Sequence, residues 1–198
     1  MSDSPDTSTS RPERPGRYQR STAGLIGAMI VTLLAVGAFV AFRSINRDDL
    51  DVRPEAVDYL AAVRALQDEG RLPIYPARLP KSWIPTSVDV DPSSTNPSAR
   101  LSWGVGILTD ADTFVGVRQS DESLSDLLAT YVDEHSAEGP TVTVQSEVAT
   151  RWRTFTDSGG DTAYVADVPP GRVLVYGSAT PEDLERLIGS LTAARLQD

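Results

Sequence analysis

The pattern of hydrophobic and polar positions changes along the chain. Residues 23–42, AGLIGAMIVTLLAVGAFVAF, form a continuous apolar segment without a charged residue. From residue 101, apolar residues recur at every second position, as in LSWGVGIL, which is typical of half-buried strands. The segments after residues 123 and 180 have apolar residues three and four positions apart, which is typical of amphipathic helices. The pattern therefore predicts one uniformly apolar helix followed by a mixed domain of strands and helices.

Residues 23–42 are predicted to form a single transmembrane helix. About 20 residues at about 1.5 Å each give about 30 Å of helix, which matches the hydrocarbon core of a bilayer. A buried helix of a soluble domain would be shorter and would have a polar side. A cleaved secretory signal has an apolar region of only about 7–15 residues, followed by a small-residue cleavage site. The length of the segment and its ending, Phe39-Val-Ala-Phe42, favour a permanent anchor over both alternatives.

The flanking charges predict the orientation of this segment. Four arginines precede it, whereas Arg43 and Arg47 follow it. Since the flank richer in Lys and Arg stays in the cytoplasm, residues 43–198 are predicted to be extracytoplasmic. Residues 1–22, which are rich in Ser, Thr, Pro and charge, are predicted to be a disordered cytoplasmic tail. The predicted location is the cell (inner) membrane, with membrane lipid contacting residues 23–42.

Residues 43–70 are predicted to form a juxtamembrane linker and helix, because Pro54 suits a first helical position and Gly70 a position after the last. The next stretch, RLPIYPARLPKSWIPTSVDVDP, contains five prolines, which disfavour a helix and predict an extended strap. Such segments also serve as ligands for aromatic grooves. The apolar residues between the prolines favour a strap that packs on its own domain.

Residues 71–198 are predicted to form the extracytoplasmic domain. Alternating segments predict two strands, then a helix, then four strands and a final helix. Ser123 and Thr180 each precede an apolar helical stripe and have an Asp three residues later, which is the pattern of a capping box. The short turns between strands predict an α+β fold, with a mostly antiparallel sheet covered on one face by helices.

Composition restricts the partners of this domain. The formal net charge is −10, and since the first 22 residues carry +1, the remainder carries −11. A surface this acidic repels phosphate backbones, so nucleic acid is not a predicted partner. The chain has no cysteine and therefore no disulfide, thiol nucleophile or thiolate metal ligand. Its core must be stabilised by packing.

One pair of residues is a candidate site. Arg151 and Arg153 alternate with Trp152 on a predicted strand, so both guanidinium groups lie on one face. Such a pair can hold a carboxylate or phosphate, or contact a partner. The alternative is that both arginines pair with Asp and Glu on neighbouring strands. No catalytic motif, metal-binding spacing or cofactor fingerprint is recognisable, so neither an enzyme activity nor a cofactor is predicted.

Three stretches give the chain a resemblance to a known family. They are the apolar span with its short tail, the segment LPKSWIPTS from residue 79, and the segment VLVYGSATPEDL from residue 173. Together they resemble actinobacterial membrane proteins grouped as domain of unknown function 4245. The resemblance implies one N-terminal span followed by an extracytoplasmic domain, and it implies no activity.

The sequence as a whole favours a membrane-anchored binding or accessory module of the cell envelope, with an envelope protein as partner. The alternative is an envelope hydrolase or transferase that uses carboxylates alone, which requires two Asp or Glu side chains in one cleft. A third hypothesis is a dimer formed through the span, with the domain as a spacer.

Overall fold

A computed structural model describes residue 29 and residues 32–39, 54–91 and 101–197 of the chain. The chain divides into two compact units, Met1–Val52 and Arg53–Asp198. In the first unit, the described residues are helical, and their large apolar side chains are exposed. No helix within the described ranges is both long and apolar enough to cross a membrane. The predicted tail 1–22 and the rest of the predicted span 23–42 lie outside the described residues.

The second unit is an α+β domain, as predicted. Its described helices are α1 (Tyr59–Asp68), α2 (Leu124–Tyr131) and α3 (Pro181–Gly189). Its described strands are β1 (Tyr75–Pro76), β2 (Ile84–Val90), β3 (Trp103–Leu108), β4 (Phe114–Ser120), β5 (Ala137–Glu138), β6 (Val142–Thr143), β7 (Arg151–Thr156), β8 (Thr162–Val168), β9 (Gly171–Gly177) and β10 (Leu191–Thr192).

One antiparallel sheet dominates the domain, which confirms the predicted sheet type. Its strand order is β2-β3-β4-β9-β8-β7-β5, and β6 pairs with β7 beside β5. The last long strand, β9, lies between β4 and β8. Strands β1 and β10 form a separate antiparallel pair. The sheet also includes β2, an edge strand in the described part, which the sequence predicted only as part of an extended strap.

Helices α1 and α3 cover one face of the sheet, called here the first face. The side chains of Val63 on α1 and Leu187 on α3 belong to the same buried cluster as Trp103 and Val175 of the sheet. Fully burying an apolar side chain of this kind contributes about 1.5–3 kcal/mol. Among the described residues, the larger of two buried clusters lies on the first face.

Helix α2 lies on the opposite, second face, which corrects the prediction that helices cover only one face. Leu127 and Leu128 of α2 pack in a separate cluster that includes Leu174. Leu174 stands between Val173 and Val175, which belong to the first-face cluster, and successive strand residues point to opposite sides. The amphipathic stripe of α2 predicted a buried side but not the face of the sheet that it contacts.

The predicted caps of α2 and α3 are confirmed. Ser123 Oγ accepts a hydrogen bond from the Asp126 N–H at 3.2 Å, and Thr180 Oγ1 accepts one from the Asp183 N–H at 3.3 Å. The Asp126 N–H has no carbonyl partner in its own helix, whereas the Asp183 N–H also donates to the Thr180 carbonyl at 3.0 Å. These local interactions fix where both helices begin.

Helix α1 begins after the position that Pro54 predicted. Its N-cap is Asp58, whose Oδ1 accepts a hydrogen bond from the Ala61 N–H at 3.1 Å. Val63 and Leu66 of this helix are buried in the first-face core. The predicted juxtamembrane helix is therefore packed against the sheet.

A buried glutamine joins the strap to the sheet. Gln119 Oε1 accepts hydrogen bonds from the Ile74 N–H at 2.7 Å and from Trp103 Nε1 at 3.1 Å. Its Nε2 donates to the Leu72 carbonyl at 3.4 Å. The strap is thus packed on its own domain, as its apolar residues predicted.

Candidate functional site

The second face has an area that no helix of the described ranges covers. This area is formed by β2, β3 and β4, whereas α2 packs over β7, β8 and β9. Its side chains come from alternate positions of the three strands, namely Ser87, Asp89, Gly104, Gly106, Phe114, Gly116 and Arg118. Three of these positions are glycine, which is depleted in strands because it has no side chain to pack.

The three glycines allow three long side chains to lie across the sheet. A Cβ atom added at each glycine would approach a neighbouring side chain more closely than most Cβ atoms in proteins do. The pairs are Gly116 with a Tyr176 ring carbon (2.5 Å), Gly106 with a Phe114 ring carbon (3.0 Å) and Gly104 with Arg118 Cδ (3.1 Å). These side chains therefore close the area in place of a helix.

Phe114, Tyr131 and Tyr176 form what we call the aromatic cluster. The Tyr176 ring lies 5.8 Å from Phe114 and 5.6 Å from Tyr131 between centroids, at interplanar angles of 64° and 55°. Such tilted arrangements stabilise aromatic pairs. Phe114 is 37% exposed, and neither tyrosine hydroxyl has a hydrogen-bond partner within the described residues. The cluster therefore packs on the sheet with one side and is accessible to solvent on the other.

Arg118 lies beside the cluster and is 7% exposed. Its guanidinium group forms an ion pair with Asp89, donates to Ser102 Oγ at 2.8 Å and lies 5.0 Å from the centre of the Tyr131 ring. Its buried Nε has no hydrogen-bond partner within the described residues. The Asp89 side chain, by contrast, is 71% exposed. The pair therefore joins a buried cation to a carboxylate that solvent or a ligand can reach.

Two depressions share the aromatic cluster as a wall, and together we call them the groove. The smaller, of about 80 Å³, is also lined by Ser87, Asp89 and Arg118. The larger, of about 140 Å³, is also lined by Asp157 and Asp161. The groove therefore combines aromatic rings with hydroxyl, carboxylate and guanidinium groups contributed by several strands and by the end of α2.

Burial disfavours ionisation of the tyrosine hydroxyls of the groove. Burial, and then the neighbouring Tyr131, raise the pKa of Tyr176 to about 12. Burial also raises the pKa of Tyr131, although the nearby Arg118 acts in the opposite direction. At neutral pH both hydroxyls can therefore donate and accept hydrogen bonds.

The aspartates at the larger depression are arranged as a turn. Asp157 Oδ1 accepts hydrogen bonds from the N–H groups of Gly159 and Asp161, both at 2.8 Å. Within the described part of the chain, no three His, Asp or Glu side chains are grouped closely enough to hold a metal ion. The geometry favours turn stabilisation as the role of Asp157.

The predicted site residues Arg151 and Arg153 lie outside the groove, on β7. Arg153 Nη2 forms an ion pair with Glu138 Oε1 at 2.8 Å, and its guanidinium group lies 5.2 Å from the centre of the Phe155 ring. Arg151 is exposed and has no ion-pair partner in the described residues. The alternative pairing with a neighbouring strand thus holds for Arg153. A role of the two arginines in binding an anion or partner stays a prediction.

The sequence interpretation missed the groove, although a signal for it was present. Gly104 and Gly106 are two positions apart on β3, and Gly116 lies directly opposite Gly106 on β4. Glycines at alternate positions of neighbouring strands lie on one face, which indicates close approach by other groups. The group that approaches Gly116, the Tyr176 ring, depends on the pairing of β4 with β9.

The fold and the groove define an α+β domain built on one antiparallel sheet, with a surface site made of aromatic side chains and a buried arginine. Over residues 17–191 the chain matches the family described as "Protein of unknown function (DUF4245)", and it belongs to that family. This confirms the resemblance to domain of unknown function 4245. Neither the curated proteins nor the solved structures contain a match to the chain.

Proposed function

We propose that the protein is a binding module of the cell envelope, and that the groove is its binding site. The observation that carries this proposal is the aromatic cluster. Two of its rings lie over glycines of the sheet, and its two tyrosine hydroxyls have no hydrogen-bond partner among the described residues. Ligand sites commonly combine apolar and aromatic walls with a few placed polar groups. Tyr131, Tyr176 and the Asp89–Arg118 pair supply these features together.

The arrangement of the uncovered area also favours binding over a purely structural role. Glycine in a strand interior weakens the strand by about 0.5–1 kcal/mol relative to alanine. Two adjacent strands, β3 and β4, contain three such glycines, namely Gly104, Gly106 and Gly116. The absence of side chains at these positions lets Phe114, Arg118 and Tyr176 lie across the sheet. Sites that depart from local stability rules are often functional.

The proposed location is the outer side of the cell membrane, with residues 23–42 as the anchor. The uncharged segment of about 20 residues and the excess of arginines before it support this orientation. Packing of α1 against the sheet supports a domain that begins soon after the anchor.

The alternative function, a hydrolase or transferase that uses carboxylates, has weaker support. Asp157 and Asp161 both line the groove, but the turn itself uses Asp157 Oδ1 as an acceptor. The geometry indicates no role for the aromatic cluster or the buried arginine in such a reaction. Binding is therefore the preferred function.

Crosslinking in native membranes tests this proposal. The full-length protein and its Tyr176→Ala variant are crosslinked, purified and compared with Leu72→Ala, a control at a 71% exposed residue. Leu72 contacts Gln119 on the other side of the sheet. We expect crosslinked material from the wild type and the control, and its loss in Tyr176→Ala. Equal recovery from all three proteins would overturn the proposal.

A second variant separates loss of binding from loss of folding. Ser87→Trp adds a bulky ring at an exposed residue of the smaller depression and removes no core side chain. We expect Ser87→Trp to reduce crosslinking while its thermal unfolding midpoint stays near that of the wild type. Unchanged crosslinking in a folded Ser87→Trp protein would show that the groove is not the binding site.

A further inference from the structure

We infer that the groove binds an uncharged saccharide chain. This inference rests on the proposed function, that the groove is a binding site, and adds the chemical class of its ligand. It follows from the charge balance of the groove, from the chemistry of its exposed groups and from its division into two depressions.

The charge balance argues against an anionic ligand. The part of the chain after residue 22 carries −11, which repels anions at a distance. Among the residues that line the groove, Arg118 is the only cation, and Asp89 already neutralises it. A phosphate or carboxylate would have to displace Asp89 from a guanidinium group that is 7% exposed. A neutral ligand requires no such displacement.

The carboxylates of the groove also provide only weak electrostatic attraction for a cationic ligand. Asp89 is paired with Arg118, and Asp157 accepts two backbone hydrogen bonds within its own turn. Asp161 is the other carboxylate that lines the larger depression. A basic peptide is therefore the competing ligand, and the experiment below distinguishes it.

The exposed groups match the surface of a sugar ring. A pyranose has apolar C–H faces, which pack on aromatic rings, and hydroxyl groups at its edge that both donate and accept hydrogen bonds. Phe114 and Tyr176 supply the rings, while the hydroxyls of Tyr131, Tyr176 and Ser87 supply donors and acceptors. Arg118 holds the exposed Asp89 carboxylate in a fixed position as a further acceptor.

The two depressions indicate a chain of sugar units. They measure about 80 and 140 Å³, and all three rings of the aromatic cluster line both. A ligand that occupies both must pass over the cluster, with Asp89 at one end and Asp161 at the other. An extended oligomer fits this shape better than one compact molecule.

A glycan array tests the inference with the full-length protein. The protein is kept in a polyoxyethylene detergent, because the head group of a maltoside detergent is itself a saccharide. The array contains neutral, anionic and amine-bearing oligosaccharides of one to six units. We expect binding to neutral oligosaccharides of two or more units, at least tenfold weaker in Tyr176→Ala and Ser87→Trp and unchanged in Leu72→Ala.

Each other outcome overturns the inference. If the wild-type protein binds neutral saccharides no more strongly than Tyr176→Ala does, this ligand class is excluded. A preference of the wild-type protein for anionic or amine-bearing sugars would exclude it as well. Tighter binding of a lysine-rich decapeptide, reduced by Asp161→Asn, would assign the groove to a basic peptide. If crosslinking in membranes still depends on Tyr176 when no saccharide binds, the saccharide inference fails and the proposed function stands.

Discussion

The ring of Tyr176 on β9 lies across Gly116, its directly opposite partner on β4. A Cβ atom at position 116 would lie 2.5–2.9 Å from three atoms of this side chain. Gly116 thus sets the height of Tyr176 above the sheet, and Tyr176 in turn contacts Phe114 and Tyr131. This one relationship positions the aromatic cluster.

Gly116→Ala should therefore displace the ring and destabilise the domain. Overpacking of this kind typically costs about 1–3 kcal/mol, measured as the free energy of unfolding in urea. Gly189→Ala is a matched control, because its nearest neighbour would be the Gln145 carbonyl oxygen at 3.6 Å, an ordinary contact. The control should be neutral or stabilise helix α3 by up to about 1 kcal/mol. Equal effects of the two substitutions would contradict the packing described here.

The two members of the Asp89–Arg118 pair should contribute unequally to stability. Asp89→Ala leaves a buried guanidinium group without its counter-ion, which should cost about 1–3 kcal/mol. Arg118→Met keeps most of the side-chain volume and leaves Asp89 exposed to water, so it should cost less. Chemical denaturation of both variants measures the order. A larger loss for Arg118→Met would show that Asp89 does not stabilise the buried cation.

Alkaline pH should destabilise the domain through three tyrosines whose pKa is raised in the folded state. Burial raises the pKa of Tyr59, Tyr164 and Tyr176 to about 12, whereas tyrosine in an unfolded chain has a pKa of about 10. Between these values the folded state retains protons that the unfolded state loses. The contribution of these tyrosines to the free energy of unfolding should therefore be constant up to about pH 10 and fall as the pH rises toward 12.

Tyrosinate absorbance provides the direct measurement of these groups. Tyr176→Phe should remove one late-titrating group from the absorbance titration and reduce the loss of stability at high pH. Titration of every tyrosine near pH 10, with the fold intact, would contradict the raised pKa of these three hydroxyl groups.

Gln119→Leu should loosen the strap. The Ile74 N–H and the Trp103 indole would lose their acceptor in a buried position, at about 1–3 kcal/mol each. Hydrogen exchange of residues 72–77 should accelerate, because local opening becomes easier. Gln145→Leu is the control, since Gln145 is exposed. Unchanged exchange in Gln119→Leu would mean that other contacts hold the strap.

The absence of native cysteines allows a direct test of topology. Single-cysteine variants Ser8→Cys, in the tail, and Glu134→Cys, at an exposed residue of the domain, each carry one thiol. A membrane-impermeant maleimide applied to intact cells should label only Glu134→Cys, and it should label both after lysis. Labelling of Ser8→Cys alone in intact cells would reverse the proposed orientation.

Local interactions explain what the sequence predicted correctly. The caps Ser123 and Thr180 bond to residues three positions away, so their pattern is visible in the chain. Arg151 and Arg153 share a face of β7 for a similar reason. The partner of Arg153, Glu138, lies on the two-residue strand β5, which is too short to give an alternating pattern.

Long-range pairing explains what the sequence did not predict. The face chosen by α2 depends on which strands lie together, and β9 enters the sheet beside β4, far away along the chain. The candidate site depends on the same pairing, because it brings Tyr176 over Gly116. In the sequence, Arg118 is likewise indistinguishable from an ordinary polar residue of a strand. Only the fold shows that it lies beside Asp89, 29 residues earlier.

Site-specific photocrosslinking in whole cells is the most direct test of the groove as a binding surface. A benzophenone amino acid replaces Phe114, which is 37% exposed in the aromatic cluster, and in a separate protein replaces Leu72, which is more exposed but lies outside the groove. Binding in the groove predicts a light-dependent adduct at position 114 with little at position 72, and mass spectrometry identifies the attached molecule. Equal adducts at both positions, or an adduct at position 72 alone, would contradict the account.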